Sequence, residues 1–553
     1  MLKNLTIMRK LSIICAALAL VSSLVSCKED VENSTIVAGI VPAPQYVEVA
    51  DGTFKVKGAD VNLMAVNETR TREMLASFAE KLSAVTGRNS RVSDSEDGFI
   101  FKSDDDVPVE GYEIKISEDI VEVRASDYNG FFYAVQTLRQ MLPVEVYGGK
   151  RAPGVNWELP CCVISDSPRF GYRGVMIDEC RHFFGKDEII KVLDVMSLYK
   201  LNRLHWHLTE DQGWRIEIKS YPRLTEVGAW RAGTQIGKDW ESCDSIPYGG
   251  FYTQEEIKEV VKYAEGLGIT IIPEVDLPGH MVAALAAYPE FGCTGGPYSV
   301  RTKWGIADEA LCPGKEATFK FLEGVLGEVA DLFPSEYFNI GGDECRKGEW
   351  EKCPDCQALI KKLGLKSDAE ASKEQRLQNY VTSRVQNFLA TKGKKIIGWD
   401  EILEGELAEG ATVMSWRGSK GGIKAANMGY DVVMAPNDYC YLDYAQSPDL
   451  ENEPLCITSD PKRAVPIEKL YSLDPFDGIP EDSQFHVLGV QGNLWTEYIP
   501  TNEQLEYMLL PRMLALSEVQ WCSPDIRDFD RFITATKEHQ YRILESLGYN
   551  FRR

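Results

Sequence analysis

Basic residues are in short supply in this chain. Sixty lysines and arginines stand against 84 aspartates and glutamates, a net charge of −24 over 553 residues. That balance excludes the basic patches that nucleic acid and anionic membrane surfaces require, and it is compatible with a neutral ligand such as a sugar. Long apolar runs are missing too. The stretch Leu11–Val25 is too short to span a bilayer comfortably. No Gly-rich phosphate-binding fingerprint opens the strand-and-helix region, and no internal repeat is evident. What is present is a 44% hydrophobic share, enough for a sizeable core, on a chain long enough for two or more domains.

The first residues read as a targeting segment. Lys3, Arg9 and Lys10 form a basic start, Leu11–Val25 an apolar middle, and Leu24-Val25-Ser26-Cys27 resembles the lipobox of bacterial lipoproteins. The expectation is that residues 1–26 are removed and Cys27 is lipidated. Residues 27–35 then form a polar tether, and the protein is exported and held in a Gram-negative cell envelope only through that lipid. Two of the 14 cysteines fall in this segment, which leaves 12 in a compartment that permits disulfides. Cys353-Pro-Asp-Cys356, with Cys345 nearby, reads as a zinc knuckle or a redox pair. With no fourth ligand close in sequence, a disulfide or free thiols is the expectation. Cys293 and Cys312 flank a Gly-rich loop and are expected to pair.

Residues 36–166 carry mixed signals. Tyr112–Ser117 and Val121–Ala125 alternate like strands, and Thr69–Thr86 and Tyr128–Leu142 have helical spacing. This reads as an α+β accessory domain. From 167 to 553 the texture changes. Eight short apolar runs recur, from Tyr172–Ile177 to His486–Val490, with amphipathic segments such as Lys186–Tyr199 and Gln254–Leu267 between them. Alternation of this kind predicts a parallel sheet, and eight units predict a closed (β/α)8 TIM barrel that ends in a C-terminal helix.

Polar and aromatic residues cluster after these runs. Asp178, Arg181 and His182 follow the first; Glu210, Asp211 and Trp214 the second; Asp276 and His280 the third. Asp343 and Glu344 follow the fourth, Trp399, Asp400 and Glu401 the fifth, and Trp416 and Arg417 the sixth. Tyr441 and Asp443 come after the seventh, Trp495 and Glu497 after the eighth. The C-terminal ends of barrel strands form the active-site face. Indoles beside carboxylates suit a sugar, whose ring faces stack on aromatics while its hydroxyls take charged partners. Asp343 and Glu344 are adjacent, and strand neighbours point to opposite sides, so they are not expected to flank one glycosidic bond in the usual two-carboxylate way. A substrate with a 2-acetamido group removes the difficulty, because its carbonyl oxygen serves as nucleophile. His205-Trp206-His207 and His280 offer a metal-hydrolase alternative. Two imidazoles hydrogen-bonded inside the barrel are preferred, and no metal or cofactor is expected.

Asn-Ile-Gly-Gly-Asp-Glu (339–344), Leu-His-Trp-His-Leu-Thr-Glu-Asp-Gln-Gly-Trp-Arg (204–215), Pro-Glu-Val-Asp-Leu-Pro-Gly-His (273–280), Gly-Trp-Asp-Glu (398–401) and Gln-Gly-Asn-Leu-Trp-Thr-Glu (491–497) together resemble the family 20 glycoside hydrolases, the β-N-acetylhexosaminidases. The resemblance implies an exo-acting, retaining enzyme that releases terminal β-linked N-acetylhexosamine from glycans. A shifted specificity, for a disaccharide or a sulfated sugar, is the alternative, with the loops at 231–250 and 292–313 shaping the choice. The implied roles are Glu344 as acid then base, Asp343 as the carboxylate that orients the acetamido group, and Tyr441 as donor to its oxygen. Asp211 and His280 are implied as the supporting pair beside the acid, with Glu210 standing where many relatives have Asp. Arg173, Asp443 and Glu497 are implied to bind hydroxyls, and Trp399, Trp416 and Trp495 to wall the sugar site.

Overall fold

Runs such as Tyr-Arg-Gly-Val-Met-Ile-Asp are continuous rather than alternating, as strands covered on both faces must be. In the computed structural model, which describes residues 33–553 except Ala59, Ser90 and Glu406, all eight runs become strands of one closed barrel. They are β1 (Tyr172–Asp178), β2 (Arg203–His207), β3 (Thr270–Glu274), β4 (Tyr337–Asn339), β5 (Lys395–Trp399), β6 (Thr412–Ser415), β7 (Val432–Met434) and β8 (Val487–Leu494). Each pairs in parallel with the next, and β8 closes on β1. Helices at Lys186–Leu198, Gln254–Gly266, Glu316–Leu332, Lys373–Thr391 and Lys420–Asn427 fill the crossovers. Gln254–Gly266 and Lys373–Thr391 start with capping boxes, at Thr253/Glu256 and Ser372/Gln375.

The chain divides into two units, with Phe170–Gln520 forming the barrel unit. The other unit holds a seven-stranded mixed sheet with strands at Tyr46–Lys55, Glu158–Asp166, Tyr112–Ile116, Ile120–Ala125, Gly98–Ser103, Val61–Ala65 and Val92–Ser93, in that spatial order. Helices Thr69–Thr86 and Tyr128–Met141 belong to it, the second capped by the Asp127 side chain. Trp521–Tyr549 also groups with this unit, whereas the sequence pattern ran the barrel domain on to residue 553. The reason is local bonding. The Gln540 amide donates to the carbonyl of Gly39 at 2.6 Å and to the side chain of Gln140 at 2.9 Å, and His539 meets the Gln140 carbonyl at 2.7 Å. The leader, the tether up to residue 32 and Cys27 lie outside the described residues.

Beside a buried apolar cluster that includes Tyr172, Ile272, Ile397 and Val433, the barrel strands carry a set of bonded polar groups. His205 Nδ1 lies 3.0 Å from the Gln491 amide nitrogen, and its Nε2 lies 2.9 Å from Glu274 and 3.1 Å from the Asn339 amide nitrogen. His207 Nδ1 bonds the same Glu274 carboxylate. Burial opposes a charge on His207, but Glu274 and Glu210 raise it to about 10. The paired imidazoles of β2 are therefore barrel-interior groups, in line with the preferred reading of the sequence. Asn339 on β4 accepts from the Gly341 N–H at 2.9 Å and joins this set.

No two of the 12 described cysteines form a disulfide with each other. Cys293 and Cys312 do not pair as expected. Both come instead to the thiols of Cys353 and Cys356.

Candidate active site

β4 ends at Asn339, so Asp343 and Glu344 are not strand neighbours but members of a tight turn. Gly341, Gly342 and Glu344 all have left-handed backbones, with φ of 62°, 97° and 47°. A side chain at Gly341 would meet the Asp276 carboxylate at 1.8 Å, so the first glycine is a requirement of the packing. Asp276 in turn accepts the Gly342 N–H at 3.1 Å. Glu344 is the residue held in a region that L-residues avoid, a strain typical of functional turns. The turn overrides strand alternation. Both carboxylates converge on one imidazole, with His280 Nε2 3.6 Å from Asp343 and 3.6 Å from Glu344. The expectation that they face apart is corrected accordingly.

His280 also has a left-handed backbone, at φ 51°. Its Nδ1 bonds Glu210 at 2.7 Å and lies 3.7 Å from Asp211. Burial works against the charge, yet Glu210, Asp211 and Glu344 hold the imidazole protonated far above its ordinary range. Glu210 is the nearer of the two carboxylates to His280 Nδ1, at 2.7 Å against 3.7 Å for Asp211. The extra methylene of Glu210 reaches the ring. Asp211 caps the Val282 N–H at 3.1 Å and sits 3.8 Å from Arg301. Asp343 is buried, and that burial, with the nearby Glu344, raises its carboxyl to about 6 although His280 opposes the shift.

The aromatic wall is built from the next strands. Trp399 at the end of β5 is buried and donates to Glu274 at 2.9 Å. Trp399 and Trp495 lie 5.8 Å apart at 44°, and Trp416 stacks on Tyr441 at 6.0 Å and 20°. Burial raises the Tyr441 phenol well above its usual value, which keeps it a donor. Glu401 accepts from the Trp416 indole at 2.9 Å, and burial beside Asp343 pushes it up to about 8.

Arg173 does not reach this site. It occupies the N-terminal end of β1, is 1% exposed, and donates to the carbonyls of Lys200 and Phe170 at 2.8 and 2.7 Å. The guanidinium at the mouth is that of Arg181. It pairs with Asp178 at 3.2 Å and Glu210 at 3.1 Å, lies 4.0 Å from Glu497, and covers the Trp495 ring at 4.9 Å. Arg181 stands after the C-terminal end of β1 and Arg173 at its N-terminal end, a distinction that position along the strand alone would have drawn. Asp443 is buried beside Glu497, and burial raises the carboxyl of both. Among the described residues Asp443 Oδ1, Asp343 Oδ1 and His280 Nε2 find no hydrogen-bond partner and are buried, polar atoms of the kind a bound ligand satisfies. Replacing Arg181 by Lys is expected to lower kcat/KM by roughly 10- to 100-fold, the worth of a charged hydrogen bond. Replacing Arg173 should instead act through stability, and steady-state kinetics on both variants checks the difference.

Two family models cover most of the chain. The catalytic domain of glycosyl hydrolase family 20 matches residues 170–524, and domain 2 of the same family matches residues 37–167. A Porphyromonas gingivalis protein named beta-hexosaminidase is 40% identical over 94% of the chain, which spans 65% of that relative's length, just under two thirds. A Vibrio furnissii beta-hexosaminidase is 34% identical over 86% of the chain and 76% of its own length. Among solved structures, a Vibrio harveyi family 20 exo beta-N-acetylglucosaminidase in complex with N-acetylglucosamine superposes with a TM-score of 0.81. It is 34% identical and aligns over 94% of this chain and 78% of its own. A Bacteroides fragilis beta-N-acetylhexosaminidase gives 0.78 at 32% identity over 93% and 96%.

Proposed function

The chain belongs to glycosyl hydrolase family 20, and on that footing we propose that it removes terminal β-linked N-acetylhexosamine from the non-reducing ends of glycans, with retention. The observation that carries this is the turn after β4, which brings Asp343 and Glu344 to one imidazolium beside an aromatic box. In the reaction the acetamido oxygen of the substrate attacks C1 as the C1–O bond to the leaving group breaks. Glu344 gives its proton to the departing oxygen. Asp343, ionised, accepts the acetamido N–H and stabilises the positive charge that builds on the oxazolinium ring. Tyr441 donates its hydroxyl proton to the acetamido oxygen and so fixes the nucleophile. Trp399, Trp416 and Trp495 enclose the group and exclude water.

In the second half Glu344, now a carboxylate, takes a proton from water, which attacks C1 and reopens the ring with the β configuration restored. His280 carries no proton to substrate in this scheme. Anchored by Glu210 and Asp211, it is a positioning residue that sets both carboxylates. Arg181, Asp443 and Glu497 take the ring hydroxyls.

Paired aryl glycosides test the reading. The 2-acetamido substrate should turn over at least about 10³-fold faster than the matching 2-hydroxy glucoside, since a positioned intramolecular nucleophile is worth far more than that. Comparable rates on the two would contradict it. The lipobox supports a second proposal, that the enzyme is exported and held in the envelope through a lipid on Cys27. Incorporation of labelled palmitate, lost in Cys27→Ser, checks it; incorporation unchanged in the variant would refute it. Among the described residues no helix is long and apolar enough to cross a membrane.

A further inference from the structure

Four thiols far apart in sequence meet at one point in the barrel unit. Cys293 and Cys312 come from the long loop that precedes helix Glu316–Leu332, and Cys353 and Cys356 from the start of helix Pro354–Leu363. Their sulfurs all lie within 4.8 Å of one another. Cys312 is 3.7 Å from Cys353 and 3.6 Å from Cys356, and Cys293 is 3.8 Å from Cys356. A disulfide would need about 2.05 Å. Four sulfurs at about 2.3 Å from a central ion stand about 3.8 Å apart along each tetrahedron edge, and these three pairs have that spacing.

The surroundings fit the same reading. Gly314, two residues after Cys312, is packed so closely against the helix start that a side chain there would meet the Asp355 backbone at 2.3 Å. Cys353 is the N-cap residue of its helix and Pro354 follows it, so the Cys-x-x-Cys turn is held in shape. Three of the four thiols are buried in an apolar cluster with Trp350 and Ile360.

We propose that Cys293, Cys312, Cys353 and Cys356 form a structural zinc site. The donor set is four soft thiolates with no carboxylate or open position, the closed arrangement of structural rather than catalytic zinc. On binding, each thiol gives up its proton, so one Zn²⁺ enters and four H⁺ leave with no change of oxidation state. The site clamps the loop that carries the acid. Cys345, next to Glu344, lies in the same cluster. The Trp350 indole ties to the Leu311 carbonyl at 2.9 Å, and the Leu311 N–H to the Pro278 carbonyl at 3.0 Å, two residues from His280. The metal would thus hold the Glu344 turn and the His280 loop in register.

The experiment uses the full chain, purified without added metal or chelator. Mass spectrometry of the metal content should find about one zinc per chain. Titration with a mercurial in the presence of a zinc dye should release that zinc as about four thiols are blocked. The double variant Cys353→Ser/Cys356→Ser should hold less than about a tenth of the wild-type zinc. If that variant fails to fold, exchange of the wild-type zinc for cobalt decides: intense thiolate-to-cobalt bands and tetrahedral visible bands are expected. Zinc well below stoichiometry, with the four sulfurs found as two disulfides or as free thiols, would overturn the proposal.

Discussion

Replacing Glu344 by Gln should slow the release of N-acetylhexosamine from unactivated glycosides by about 10²- to 10⁴-fold, the range for loss of a positioned general acid. The side chain is 32% exposed and lies 3.6 Å from the His280 imidazolium. Gln keeps its size and its backbone, and the fold should be unaffected. The loss should shrink as the leaving group becomes more acidic, because a dinitrophenolate departs without a proton. A plot of log kcat/KM against leaving-group pKa should therefore steepen in the variant. Wild-type rates on a plain disaccharide would show that another group supplies the proton.

Asp343→Asn should cost about 10²- to 10³-fold in kcat on acetamido substrates, comparable to removing one preorganised electrostatic partner of a transition state. The amide has the shape of the carboxylate but no charge to set against the oxazolinium. The pH profile should change with it. Burial and the neighbouring Glu344 raise Asp343 to about 6, so the working, ionised form is lost as pH falls through that value. The wild type should show an acid limb near pH 6 in kcat/KM that is missing from the variant. Stability should move the other way. A carboxyl whose folded pKa lies above its unfolded value of about 3.9 favours folding when protonated. That contribution is complete below the unfolded value and is lost as pH rises through about 6. Above pH 7 the charge at Asp343 is thus a burden of up to roughly 3 kcal/mol. Asp343→Asn should then melt no lower than the wild type at pH 8 while being nearly inactive. A large fall in Tm would mean that the pairing with His280 outweighs the burial.

The barrel was readable from the chain because strands covered on both faces leave unbroken apolar runs, and parallel pairing in order needs no further information. Tyr172–Ile177 and Lys395–Gly398 are found within one residue of their expected ends. The chemistry was readable for a related reason: the residues just after each run lie on one face of the barrel. The misreadings share a physical cause. Arg173 opens β1 and Arg181 follows its end, and only that difference in position separates a buried anchor from a group at the mouth. Asp343 and Glu344 appeared opposed because strand alternation was extended past Asn339. The left-handed Gly341 and Gly342 that lead to Glu344 pack on Asp276, a contact from the loop after β3 that no local pattern announces. The four-thiol cluster was hidden in the same way. Cys353 and Cys356 showed a half-site, but Cys293 and Cys312 arrive through the fold. Trp521–Tyr549 seemed to belong to the barrel because its partners, Gly39 and Gln140, are hundreds of residues away.

In this mechanism the substrate brings its own nucleophile and the protein steers it. A series of aryl glycosides bearing N-acetyl, N-fluoroacetyl, N-difluoroacetyl and N-trifluoroacetyl groups isolates that step, since each fluorine weakens the carbonyl oxygen as a nucleophile while changing its size little. Measured with the wild type, log kcat/KM should fall steadily along the series, by on the order of 10³-fold from first to last, a small part of what intramolecular attack is worth. A flat series would mean that a group of the protein attacks C1, and would contradict substrate assistance outright.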